Sequence, residues 1–235
     1  MNELMGIRGL NKIYPMGGEA FYALKGVDLD LGAGEFAGLV GPSGSGKTTL
    51  LNIIGALDQP TSGEVMLGSR RISGLGASEA AKLRLDHFGF IFQTFNLLNV
   101  YSVYENVELP LILAGWGATQ KRAAVMEALE WVGLSDKVNS RPGQLSGGQC
   151  QRVAIARAMV KKPKLVLADE PTANLDSENS YNILDAMLQI NQETGTTFLF
   201  STHDQKVINY LRRVITLKDG SVAEDRTQVP QPAEV

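Results

Sequence analysis

"GPSGSGKTTLLN", residues 41–52, sits between the apolar run Phe36–Val40 and the apolar residues Leu50, Leu51, Ile53 and Ile54. A segment so poor in side chain, wedged between a strand-like run and a helix-like one, has to act through its backbone. Gly41, Gly46, Lys47 and Thr48 stand at the spacing G-x-x-x-x-G-K-[ST]. Small residues there let consecutive backbone N–H groups turn inward around a phosphate chain. The helix that follows adds its first N–H groups and the positive end of its dipole to the same anion site. In this reading Lys47 reaches the outer phosphates and the Thr48 hydroxyl ligates Mg²⁺, while Pro42, Ser43, Gly44, Ser45 and Thr49 complete the cradle. A flexible Gly/Ser turn is the plain alternative, and the strand before and the helix after argue against it.

The chain has 235 residues, enough to bury a sizeable core, with 44% hydrophobic and 20% charged residues, as in ordinary globular proteins. Its net charge is −3, and the 22 basic residues are spread along the chain rather than gathered in a block, so no nucleic-acid partner is expected. Cys150 is the single cysteine, which excludes an internal disulfide and fits a reducing compartment. The opening "MNELMGIRGLNKIY" lacks the apolar core of a secretory signal. No window reaches the roughly 18 apolar residues of a spanning helix. The best one, "VELPLILAGW", carries Glu108 and Pro110.

Residues 3–40 alternate short apolar stretches with Gly-rich turns, which suggests short strands in an antiparallel layer. An α/β pattern follows, with strand-like runs at Val65–Leu67, Phe88–Phe92, Leu165–Ala168, Thr197–Ser201 and Val214–Leu217. Helical periods place Val125, Leu129 and Val132 on one face over Gln120–Val132, and Ile183, Met187 and Ile190 together over Ser180–Gln192. Strands interleaved with helices call for a mainly parallel sheet covered on both faces. The expected organisation is a single domain over 1–235. Its parts are a core with a β layer (3–92 and 161–222), an inserted helical subdomain (93–160) and a disordered polar tail (223–235).

In "KLVLADEP" a buried β run ends in two carboxylates, Asp169 and Glu170. Ligands of open α/β sheets bind at those carboxyl ends. Asp169 can hold the Mg²⁺ shell while Glu170 faces the γ-phosphate and polarises the attacking water. Two adjacent acids on a turn are usually only solvated, but these follow an apolar run and accompany a phosphate loop. "QLSGGQCQRVAIARAM" supplies a second Gly-rich helix start, with Ser146, Gly147 and Gly148 ahead of Val153, Ile155 and Met159. Ser146 as a simple N-cap explains the helix start. It leaves unexplained two consecutive glycines, each costly in backbone entropy.

"LSGGQ" at 145–149, with "GPSGSGKT" and "LVLADEP", resembles the nucleotide-binding domain of ATP-binding cassette (ABC) transporters, and the resemblance covers essentially residues 3–222. It implies a P-loop α/β fold binding ATP and Mg²⁺. Residue by residue, it implies that Gln93 in "FGFIFQ" is the Q-loop glutamine at γ-phosphate and metal, that Asp176 in "NLD" belongs to the D-loop, and that His203 in "FLFSTHD" is the switch histidine. It also implies that Tyr14 in "KIYP" stacks on adenine, although Phe21 and Tyr22 lie close by. Two such domains face head to tail in the family, so Ser146, Gly147, Gly148 and Gln149 of one chain meet the ATP held by Lys47 of the other. Within the family, "ALKGVDLDL" and "FNLLNVYSVYENVELPLILAG" are similar to the branch of the LolD, MacB and FtsE ATPases.

The resemblance therefore implies an ATP-hydrolysing homodimer, peripheral on the cytoplasmic face of the inner membrane. It drives a separate permease of the lipoprotein-release or macrolide-export type. Rival readings are an ATP-gated regulator of a membrane partner in cell division and, further off, an ATPase acting on DNA or ribosomes. The segment after Gln93 carries Phe95, Leu97, Leu98, Val100 and Tyr101 without one clean period. They are expected to face a groove that receives a permease helix.

Overall fold

A computed structural model describes residues 3–231. In chain order the elements are β1 (Glu3–Met16), β2 (Glu19–Gly32), β3 (Phe36–Val40), α1 (Lys47–Ile54), β4 (Ser62–Leu67), β5 (Arg70–Arg71), α2 (Ala77–His87), β6 (Phe88–Ile91) and α3 (Val103–Leu113). After these come α4 (Ala118–Trp131), α5 (Gly147–Met159), β7 (Leu165–Asp169), α6 (Ser177–Thr194), β8 (Thr197–Thr202), α7 (Gln205–Tyr210), β9 (Arg213–Lys218) and β10 (Ser221–Thr227). Among the described residues they form two sheets. One has the order β10-β9-β3-β8-β7-β6, parallel except for β10, and the other, β2-β1-β4-β5, is antiparallel.

The parallel sheet is buried on both faces, and the period of two in its strands divides the core in two. Phe36, Val166, Ala168, Phe198 and Phe200 face the cluster shared with α3–α6. Their neighbours Ala37, Leu39, Leu165, Leu167 and Leu199 face a second cluster, shared with α1 and the antiparallel sheet. Phe36 packs its ring 5.5 Å from Phe198 and 4.8 Å from Phe200. The sheet's carboxyl ends, where β3 gives way to the phosphate loop and β7 and β8 end in polar residues, thus lie at one rim above a rigid base.

Three expectations need correction. Phe36–Val40 does not belong to the antiparallel layer: its five residues are all buried and pair in parallel with β8 and β9. Val65–Leu67 goes the other way, into the antiparallel sheet against β1. The tail is ordered over β10, which pairs antiparallel with β9 and is tied by Arg213 to Asp225 at 2.7 and 2.9 Å. An edge strand exposes most of its side chains, which is why its sequence reads as polar. The expected disorder of 232–235 lies outside the described residues.

Inside the helical region, α3 begins at a capping box. The Ser102 hydroxyl accepts from Glu105 N–H, and the Glu105 carboxylate accepts from Ser102 N–H. The fully buried Asn106 then holds the preceding loop by accepting from Leu98 N–H and donating to the carbonyls of Leu98, Tyr101 and Ser102. Among the described residues, no helix is long and apolar enough to cross a membrane.

Candidate functional site

The phosphate loop runs from β3 into α1, with Gly46 at the helix N-cap in the left-handed region, φ 102°. No side chain caps this helix, so its first N–H groups face the loop with no side-chain acceptor, as an anion site requires. Lys47 is only 7% exposed, and its Nζ donates to the carbonyls of Gly41 at 2.8 Å and Pro42 at 3.0 Å. Thr48 Oγ1 lies 3.2 Å from Asp169 Oδ1, although the two residues are far apart in sequence. A hydroxyl beside a carboxylate offers the hard oxygen donors that suit Mg²⁺. The phosphate loop and Asp169 thus fit the group that the sequence implies.

Glu170 ends the β7 run with a left-handed backbone, φ 46°, in a region that costs a non-glycine residue of order 1 kcal/mol or more. Its N–H donates to Ser201 O at 2.9 Å, which turns the side chain toward the loop. There Glu170 Oε1 meets His203 Nδ1 at 2.5 Å, and Oε2 accepts from Thr202 Oγ1 at 3.1 Å. Both carboxylate oxygens are therefore oriented by β8 and the residue after it. Thr202 escapes motif reading, since a threonine at a strand end carries no spacing signal.

A pocket of about 380 Å³ collects Ser43, Gly44, Gly46, Lys47, Thr48 and Thr49 with Gln93, Glu170, His203, Phe21 and Ala23. The phosphate loop, the catalytic carboxylate, the switch histidine and the Q-loop glutamine expected from sequence are thus brought together. Tyr14 does not line this pocket. Its hydroxyl donates to Asp58 Oδ2 at 2.7 Å, and Phe21, its partner across β1 and β2, lines the pocket instead.

Ser146, Gly147, Gly148, Gln149 and Asp176 also lie off the pocket. Ser146 and Gln149 form a capping box at the start of α5, at 3.0 and 3.2 Å. Gly148 has a packing reason within the chain: a Cβ there would come within 2.5 Å of Asn179 Oδ1. That amide is held by Asp176, which caps α6 through Asn179 N–H at 2.8 Å. Gly147 has no such reason, since a Cβ there would stay 3.7 Å from its nearest neighbour, the Leu175 side chain. Buried Gln151 ties α5 to the turn after Glu170 by donating to Pro171 O at 2.7 Å, and Asn174 donates to Gln93 O at 2.9 Å. Neither link has a sequence signal, because each joins segments distant in the chain.

An apolar groove of about 710 Å³ lies between α2, β6 and α3. Leu57, Leu85, Phe88, Phe90, Phe92, Pro110 and Leu113 line it, with Lys82, Arg84, Arg157 and Lys161 around them. The outward-facing side chains named from sequence are not the ones that line it. Leu97 packs against the core, while Leu98, Val100 and Tyr101 are exposed elsewhere on the loop that Asn106 fixes. Phe95 also lies outside the groove lining, where only Asn96 represents that run. Phe92 lines the groove and the next residue, Gln93, lines the phosphate pocket.

The profile of the ABC transporter family matches residues 24–173. The chain is 45% identical over 226 residues to the ABC transporter ATP-binding protein MJ0796 of Methanocaldococcus jannaschii, covering 94% of this chain and 96% of that one. It is also 45% identical over 223 residues to the macrolide export ATP-binding/permease protein MacB 1/2 of Paracoccus denitrificans, covering 95% of this chain and 33% of that one. The chain thus spans about a third of the length of the MacB relatives. Two solved dimeric structures of the MJ0796 cassette, one of them a post-hydrolysis state bound to ADP and Pi, superpose with a TM-score of 0.87 at 44% identity, covering 95% of this chain and 98% of theirs. With the phosphate loop, the paired carboxylates and the LSGGQ helix start in these positions, the chain belongs to the ABC transporter family as an ATP-binding cassette.

Proposed function

We propose that the chain is the ATP-hydrolysing subunit of a membrane transporter, in which two copies close head to tail around two ATP molecules and so move a permease. One observation carries this reading: the chain holds two phosphate-type helix starts, and only the one at Lys47 lines the pocket with Glu170 and His203. The start at Ser146–Gly148 is then free to complete the pocket of a second copy. The dimeric MJ0796 cassettes support that arrangement.

Within each pocket, the loop N–H groups and Lys47 bind the phosphate chain. Thr48, Asp169 and Gln93 would hold Mg²⁺, which when bound neutralises phosphate charge. Glu170, oriented by Thr202 and His203, positions the attacking water and accepts its proton. His203, Gln93 and the signature helix start of the second copy stabilise the charge that develops on the γ-phosphate. No covalent intermediate is needed.

The groove supplies the coupling. Its apolar floor suits a short helix of the permease laid into it, and consecutive residues Phe92 and Gln93 join that contact to the nucleotide. A MacB relative is named as an ATP-binding/permease protein, which supports a permease partner and a place against the membrane face where ATP is available. Leu57 and Leu113 are 45% and 67% exposed in the groove, so Leu57→Glu with Leu113→Glu is expected to leave the isolated subunit's ATP binding and basal hydrolysis intact. Permease association, followed by co-purification from membranes expressing both partners, should be lost. A double variant that still assembles and is stimulated normally contradicts the docking.

A further inference from the structure

Asp58 lies just beyond the P-loop helix, and none of the catalytic motifs includes it. Its two carboxylate oxygens serve different partners. Oδ2 accepts from the Tyr14 hydroxyl at 2.7 Å, and Oδ1 accepts from Lys12 Nζ at 2.7 Å and from Gln59 N–H at 2.7 Å. The Lys12 ammonium also donates to Gln59 O at 2.7 Å and lies 4.7 Å from the centre of the Tyr14 ring. One face of that ring is therefore covered by a cation, itself only 12% exposed. Asp58 is anionic at neutral pH: burial pushes its carboxyl up, but Lys12, Tyr14 and Gln59 N–H together hold it below the ordinary value. The Tyr14 hydroxyl, raised by burial and by Asp58, stays protonated and donates.

The clamp adjoins the pocket. Tyr14 pairs across the hairpin with Phe21, which lines the pocket, and direct cross-strand partners share a face of the sheet. Asp58 is in turn fixed to α1, since Leu57 and Asp58 N–H groups donate to Asn52 O at 2.8 and 3.3 Å. One short helix thus carries Lys47 and Thr48 at its start and the Tyr14 clamp past its end.

We propose that Asp58 is a positioning residue for the purine base of the bound nucleotide, acting through Tyr14: it fixes the ring, with Lys12 on one face, so that the base stacks on the other. This rests on the reading of the pocket as an ATP site. A ring pinned at its hydroxyl loses little freedom when a flat base stacks on it, so the stack contributes to affinity at low entropic cost. The phosphates gain nothing from the clamp.

The test compares ATP with inorganic tripolyphosphate, which lacks a base, by titration calorimetry on the full chain. Asp58→Ala is expected to raise the Kd and KM for ATP by roughly 2- to 10-fold, with kcat at saturating ATP retained and tripolyphosphate affinity unchanged. In a Tyr14→Ala background the same change should add nothing, because Asp58 acts through that ring. Asp58→Asn, which keeps an acceptor for Tyr14 but loses the negative charge that faces the Lys12 ammonium, should fall between, and serves if the alanine variant does not fold. Unchanged ATP affinity, an equal loss for tripolyphosphate, or full additivity with Tyr14→Ala would each overturn the proposal while leaving the ATP reading standing. A wild-type chain that binds neither ligand would overturn both.

Discussion

Glu170→Gln is expected to lower ATP turnover by about 10²- to 10⁴-fold, the range a positioned general base contributes, while ATP affinity stays within a few-fold of wild type. The amide has the size of the carboxylate and can keep the Thr202 contact at Oε2, so the strained turn at φ 46° is retained. It cannot accept a proton from water, and its NH₂ group cannot reproduce both acceptor positions that His203 and Thr202 now orient. Steady-state phosphate release, with nucleotide binding measured alongside, reads the two effects separately. Retention of more than about a tenth of wild-type turnover would move the base from Glu170 to another group.

Lys47→Ala is expected to weaken Mg-ATP binding by at least roughly 10- to 150-fold, the value of a single charge-assisted hydrogen bond to phosphate. The Nζ that now donates to the Gly41 and Pro42 carbonyls is the loop's own mobile cation among the pocket residues, and the helix N–H groups alone do not replace it. The variant should keep its far-ultraviolet circular dichroism, because the cores on either side of the parallel sheet do not depend on the loop. Titration of nucleotide into the folded variant checks this. Unchanged affinity would sink the assignment of the phosphate loop.

What could be read from sequence was local. The phosphate loop, the acids after "LVLA" and the glycines that open α5 each lie within about a dozen residues, and each places backbone or side chain by spacing alone. Gln120–Val132 and Ser180–Gln192 fall on α4 (Ala118–Trp131) and α6 (Ser177–Thr194) with ends off by up to about three residues, because an apolar period marks the buried face of a helix and not its capped first turn. Strand partners are different, because nothing in "FAGLV" says which strands flank it, and its Gly-rich neighbourhood points to the wrong sheet. β10 escapes the sequence because an edge strand can be mostly polar, with Val222 as its main apolar contact, when one ladder and an Arg213–Asp225 pair hold it.

The groove misreading has the same origin. Asn106 holds the loop from Leu98 to Ser102 by side-chain bonds, and that fixes which apolar residues face outward. A lone asparagine in a helical run carries no such signal. The positioning contacts around the site are also long-range: Tyr14 to Asp58, Asn174 to Gln93, and Gln151 to Pro171 each join separate segments. Motifs supplied the reacting groups, and the fold supplied what orients them.

In the proposed cycle ATP joins two chains, each completing the other's pocket with Ser146 and Gly148. Light scattering on the Glu170→Gln variant, with and without Mg-ATP, tests it most directly, because slow turnover preserves the bound state. The expected mass is near that of the 25.4 kDa chain without nucleotide and twice that with ATP, the doubling abolished by adding Ser146→Arg. A variant saturated with ATP that stays at 25.4 kDa would contradict it.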